Sequence, residues 1–295
     1  VPYYLEIDSR ANRVDVDRTG SGQKIADIPA PPHARFIGVA AAGDDRAFVL
    51  AIASSSATRF SLVTLKSSGQ PGRLTGTGVP PVPAHLGGCP TALAGLAVSG
   101  NGRFLAYSVL SNCPTGNAGP GEIVTVRLSG GHVLAKFRPG DGYPQSLSWT
   151  STGALAYGWS GSRAGVWLIP DATSQGSSPR LLIGTSAGIK GYQGAQDPLI
   201  TPGGSVVLAT LGRNTSLVVA EYSVRTRTWL RLLIKPVSNP ARFCGPLWTD
   251  ASAARILLGC GNAAEFEISN GRLTKLPSPW DLPTYPVPEA PLIAW

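Results

Sequence analysis

Methionine is absent from the 295-residue chain, position 1 included, so we expect that a longer precursor was shortened at its start. Charge is scarce as well: 14% of residues are Asp, Glu, Lys or Arg, fewer than a helical bundle or a disordered chain would carry. No apolar run approaches the roughly 18 residues that a membrane-spanning helix needs. No G-x-S-x-G elbow occurs, and no C-x-x-C pair stands near a histidine, so the sequence gives no expectation of serine-hydrolase chemistry or of a zinc site. No metal and no cofactor is expected. The three histidines, His33, His85 and His132, fall in Pro- or Gly-rich connections and read as exposed loop residues.

What is abundant is turn-forming: 36 Gly and 26 Pro punctuate short β-branched and aromatic runs such as RAFVLAI from 46 and EIVTVRL from 122. Helical periodicity is almost missing. The net charge of +8 would suit a nucleic-acid partner, whose phosphates attract Lys and Arg. The basic residues are scattered, however. Their densest group, Arg225, Arg227 and Arg231, reads as the solvated face of a strand, where alternate residues point the same way. A nucleic-acid partner is not expected.

One hairpin recurs along the chain: VAAAGDDRAFVLA from 39, LAVSGNGRFLAYS from 96, LSWTSTGALAYG from 147, LITPGGSVVLAT from 199 and LWTDASAARILLG from 247. The turn centres, near Asp44, Asn101, Thr152, Gly203 and Ser252, are 57, 51, 51 and 49 residues apart. Each copy is followed by a third strand and a weaker fourth, and four strands per repeat describe a propeller blade. The ends supply complementary halves of a sixth copy. PYYLEIDS matches the second strand of the hairpin, and APLIAW matches the first. The expectation is an all-β, six-bladed β-propeller occupying residues 1–295 as a single domain, with four antiparallel strands per blade. Its innermost closing strand would come from Ala290 to Trp295 and join the blade that starts at Tyr3. Trp149 and Trp248 share one blade position and should pack between blades.

These residues resemble known repeats. The hairpins SGNGRFLAYS and STGALAYG are similar to those of TolB-like and WD-type propellers. The ordered set PYYLEI, KIADIPAPP, FIGVAAAGDDRAFVLA, FSLVTLKSSG and terminal LIAW resembles a family of actinobacterial propeller proteins over essentially the whole chain. That resemblance implies an extracytoplasmic C-terminal domain behind a membrane anchor, in proteins whose biochemical role is generally unassigned.

Four cysteines allow three pairings. Positions 89 and 113 average to 101 and positions 244 and 260 to 252, both of which are hairpin centres located without reference to cysteine. Each pair therefore falls on the two arms of one hairpin. We expect disulfides Cys89–Cys113 and Cys244–Cys260, and an oxidising compartment.

Propellers commonly bind at the mouth of the central funnel. Aligning the innermost strands on Val39, Leu96, Leu147, Leu199, Leu247 and Leu292 places Arg35, Phe36, Tyr143, Gln196, Phe243 and Glu289, together with Cys244, at the upstream end, and Asp197 beside them. Aromatic and hydrogen-bonding groups of this mixture suit a protein or glycan partner. The long Pro-Gly segments 76–88 and 111–121 would lie at the same end. The expected function is a monomeric, non-enzymatic interaction or sensing module. A carbohydrate-binding or carbohydrate-active protein using Asp197 and Glu289, with Glu6, Asp8 and Asp141 less well placed, is one alternative. A self-associating envelope scaffold with an apolar outer face on the fourth strands is the other.

Overall fold

The computed structural model describes residues 3–18, 21–43, 46–111, 121–138, 140, 142–213, 216–233, 244–249, 255–260, 264–269, 272–276 and 293–294, with only the backbone at 216–217 and from 244 onward. The described secondary structure is strand without helix. β1 (Tyr3–Asp8), β2 (Arg13–Arg18) and β3 (Gln23–Pro29) begin the chain. Next come β4 (Arg35–Ala41), β5 (Ala47–Ala53), β6 (Ala57–Thr64), β7 (Thr75–Gly76) and β8 (Val82–Pro83). A third group holds β9 (His85–Leu86), β10 (Cys89–Val98), β11 (Phe104–Ser111), β12 (Glu122–Arg127) and β13 (Val133–Phe137). Two four-strand groups follow: β14 (Gly142–Trp149), β15 (Leu155–Gly161), β16 (Gly165–Ile169) and β17 (Arg180–Gly184), then β18 (Gln193–Ile200), β19 (Val206–Arg213), β20 (Ser216–Ser223) and β21 (Thr228–Leu232). The last strands are β22 (Cys244–Thr249), β23 (Arg255–Cys260), β24 (Ala264–Ser269), β25 (Arg272–Leu276) and β26 (Ile293–Ala294).

Each group is an antiparallel meander forming its own sheet, and β26 joins the first sheet beside β1, with Leu5 opposite Ala294 and Glu6 opposite Ile293. The leading strands touch in chain order, β4 to β10, β10 to β14, β14 to β18 and β18 to β22, while β26 touches both β22 and β4. Successive sheets stack face on face, and the core lies between them as separate apolar layers. One layer joins the first and second sheets through Leu5, Val14 and Val16 against Val39, Phe48 and Leu50. The next joins the second and third, and further layers follow between third and fourth and between fourth and fifth. This explains why strands such as AFVLAIA and LAYGWSG are apolar on both sides: each has a sheet on either face.

The recurring turn has a local cause. Ser99, Thr150 and Thr201, spaced by the sequence repeat, each use a side-chain hydroxyl to accept a backbone N–H from across the turn, from Phe104 at 2.9 Å, Ala154 at 2.9 Å and Val206 at 3.3 Å. Such side-chain closure of a turn satisfies a donor that the tight bend would leave bare. Neighbouring turns are then tied together, Gly43 N–H to Gly100 carbonyl at 3.1 Å and Ser151 Oγ to Pro202 carbonyl at 2.8 Å. Trp149 lies between the third and fourth sheets and donates Nε1–H to Ala97 carbonyl at 3.1 Å; the side chain of Trp248 lies outside the described residues.

Two expectations need correction. Arg225 and Arg227 do not share a strand face: they lie in the turn between β20 and β21, where Arg227 takes a positive φ of 55°. The segment from Gly76 to Gly88 is not simply a loop at one end. Its residues Val82 and Pro83 pair with Thr58 and Ala57 on β6, and Val79 and Val82 are buried in the layer between the second and third sheets. Apolar area removed from water holds it there.

Candidate functional site

The leading strands depart from regular pairing near their upstream ends. Against its partner, each of β4, β10, β14, β18 and β22 carries a bulge, at Ile37, at Ala94, between Gln145 and Ser148, between Gln196 and Leu199, and at Leu247. Bulges re-aim side chains and recur beside functional sites. On β14 and β18 they place two non-glycine residues in the left-handed region, Ser146 at φ 45° and Asp197 at φ 46°. Ser146 Oγ donates to Asp197 Oδ1 at 2.7 Å, linking the fourth and fifth sheets. Burial raises the Asp197 pKa above the ordinary carboxylate value, and the Ser146 hydrogen bond works against that rise. Gly158 makes room for this bulge: a Cβ there would stand 3.3 Å from Pro198 Cδ and 3.4 Å from the Asp197 backbone nitrogen.

Near the upstream ends of the same leading strands, Arg35 on β4 and Gln196 on β18 are exposed and Tyr143 on β14 is half-buried. Phe36 is different. It is 5% exposed and packs in the layer between the first two sheets, so it is a core residue and offers a ligand no surface. Strand alternation turns it inward. Among the described residues, no hydrogen bond joins Arg35, Tyr143 and Gln196 to one another or to Asp197. Phe243, Glu289 and Asp141 lie outside the described residues. Ser146 carried no motif; only its place in the bulge brings it to Asp197.

Cys244 and Cys260 are direct cross-strand partners at the open end of the β22–β23 hairpin. Cys89 opens β10, and among the described residues no cysteine is free; Cys113 lies outside them. His33, His85 and His132 are all exposed.

A second polar group was not foreseen as a unit. β1 and β2 pair so that Tyr4 faces Asp17, Glu6 faces Asp15 and Asp8 faces Arg13, which puts four acids on the face opposite Leu5, Val14 and Val16. Glu6, Asp8, Asp15 and Asp17 are each less than 5% exposed. Arg13 reaches Asp15 at 2.8 Å and Asp8 at 3.2 Å, and Lys24 reaches Asp15 at 2.7 Å. Asp17 has no hydrogen bond to either oxygen among the described residues. Burial, with Asp15 beside it and Lys24 only partly offsetting, pushes its pKa up to about 7. The signal was present as alternation, Glu6 with Asp8 and Asp15 with Asp17, in two adjacent strands. Among the described residues, no group of three His, Cys, Asp or Glu side chains has an arrangement that could hold a metal ion.

Neither a family model nor a curated protein matches the sequence. Solved structures do match. The chain is similar to TolB from Acinetobacter baumannii, with a TM-score of 0.58 and 14% identity over 99% of this chain. It spans 65% of the length of that TolB chain. It is also similar to a functionally unknown protein from Desulfotomaculum acetoxidans, with a TM-score of 0.54 and 11% identity over 94% of this chain and 80% of the other. A protein of unknown function from Bacteroides caccae gives 0.52 and 13%, over 100% of this chain and 98% of the other. At such identities the likeness shows the fold alone. The chain has a TolB-like β-propeller fold.

Proposed function

We propose that the chain is a closed, six-bladed propeller serving outside the cytoplasm as a non-enzymatic interaction module, and that it takes a protein partner where its leading strands begin. One observation carries this reading: the leading strands β4, β14 and β18 are bulged near their upstream ends, where they hold Arg35, Tyr143 and Gln196, and the half-buried Ser146–Asp197 hydrogen bond ties β14 to β18. Polar and aromatic groups held on stacked sheets lose little freedom on binding, which favours a preorganised recognition face. The six meanders, and the seat of β26 between β1 and the neighbouring leading strands, support six blades and a ring joined through both chain ends. The opposed positions of Cys244 and Cys260 support one disulfide, and the Cys89 and Cys113 spacing a second; both suit an oxidising compartment. The sequence resemblance to anchored actinobacterial propellers supports the same placement.

The test is site-specific photo-crosslinking from positions 35 and 196 in source envelopes, with position 103, in a turn at the far end of the sheets, as control. One partner protein captured from 35 and 196 but not from 103, and lost in Arg35→Glu/Gln196→Lys, is the expected result. Equal capture from 103, or binding of a cell-wall glycan with no protein captured, would overturn the reading.

A further inference from the structure

A sheet that ends in an open strand exposes unpaired backbone N–H and C=O groups, which natural proteins cover or guard. This chain treats its outer edges unequally. β3 is guarded by Lys24 and Asp27, 3.5 Å apart, and ends at Pro29. β13 is covered: the Gln175 carboxamide accepts the Lys136 N–H at 2.9 Å and donates to the Lys136 carbonyl at 3.0 Å, in the manner of a neighbouring strand.

β17, with the sequence RLLIG, has no such cover. It is the last strand of its sheet, and the side-chain hydrogen bond its backbone receives among the described residues comes from the Tyr222 hydroxyl to Leu182 carbonyl at 3.4 Å. Beside it opens a cleft of about 660 Å³ between the β15–β16 turn and residues 184–186. Trp167 and Leu181, cross-strand partners, both line the cleft. The indole is anchored by Nε1–H to Arg163 carbonyl at 3.1 Å, while Leu181 is 48% exposed. Arg163, which lines the cleft, and Arg180, which opens β17, are exposed, and neither enters a salt bridge among the described residues.

We propose that the β17 edge and this cleft form a docking site for an extended acidic peptide segment of a partner protein, which adds to the sheet as a further strand. Main-chain bonds to β17 would supply affinity, and alternate side chains specificity. With a period of two, one set of peptide side chains rests on Trp167 and Leu181 beside Arg163, while carboxylates of the alternate set meet Arg180 on the other face of the strand. Charge complementarity selects this occupant: Arg163 lines the apolar cleft and Arg180 stands on the other face of β17, both without a salt bridge among the described residues, on a chain of net charge +8.

The probe is a fluorescein-labelled octapeptide alternating valine and aspartate, titrated against the full chain by anisotropy and by amide chemical shifts. Saturable binding with shifts confined to 161–186 is expected. It should weaken about tenfold or more in Arg163→Glu/Arg180→Glu, where two exposed attractions become repulsions. N-methylation of alternate peptide bonds should abolish binding, since it removes strand pairing but not charge. Leu181→Asp, at an exposed position, should weaken binding without lowering Tm. Equal binding of the N-methylated peptide, or shifts centred on Arg35 and Gln196, would overturn the proposal. So would a dimer of the wild-type chain that Leu181→Asp dissolves, because the occupant would then be a second copy.

Discussion

The two faces of the first sheet are built from the same three strands and solve opposite problems. Toward the second sheet it shows Leu5, Val14 and Val16, which meet Phe48 and Leu50 in a dry apolar layer. Its other face buries Glu6, Asp8, Asp15 and Asp17, and two cations, each about a third exposed, reach in to three of the contacts made there. The first face is held by area removed from water, and Leu5, Val14 and Val16 carry no group that titrates. On the second, each charge costs desolvation that only a well-placed partner offsets. Asp17, which lacks a hydrogen bond among the described residues, meets this cost by keeping its proton near neutral pH. A strand pair can thus be firmly fixed by one face while the other is left responsive to solution conditions.

Phe48→Ala should break the apolar face most severely, lowering unfolding free energy by about 3–5 kcal/mol in denaturant titration, the usual cost of a large buried cavity. The acidic face should show itself as pH dependence. Because the folded Asp17 pKa of about 7 lies above its unfolded value, the native state binds the extra proton, and stability falls as pH rises toward and through 7. From pH 5 to 8 the loss attributable to this group is roughly 2–3 kcal/mol, and Asp17→Asn should flatten that slope. Arg13→Ala removes the cation shared by Asp8 and Asp15 and should lower the denaturant midpoint by clearly less than Phe48→Ala does, because the guanidinium is open to solvent. If Arg13→Ala instead proves as costly as Phe48→Ala, the contrast between the faces fails. The smallest effect lies away from this sheet: Ser146→Ala should cost about 1 kcal/mol and raise the Asp197 pKa further, seen by carboxyl-carbon NMR titration.

Much of this architecture is legible in the sequence because its cause is local. Ser99, Thr150 and Thr201 close their own turns, so the turn repeats visibly with the fold. The midpoint argument for Cys244 and Cys260 needs only hairpin symmetry, and the two residues do face each other in register. Bulges are harder. A single extra residue in β14 or β18 leaves no compositional trace, yet it turns Ser146 and Asp197 into a hydrogen-bonded pair from different repeats. Phe36 was misplaced for the same reason, since a position near a strand's start does not say which face it takes. The acids of β1 and β2 were each visible in the sequence, but their convergence depends on pairing register, which composition does not encode.

β26 pairs with β1 in the first sheet, and the proposed closure of the propeller rests on that pairing. Hydrogen exchange at Ile293 and Ala294, compared with their cross-strand partners Glu6 and Leu5, tests it most directly. The account predicts that these amides, where bonded across the strands, are protected together and lose protection in one cooperative transition with β1. Exchange at 293 and 294 at the rate of an open chain, while β1 stays protected, would contradict it.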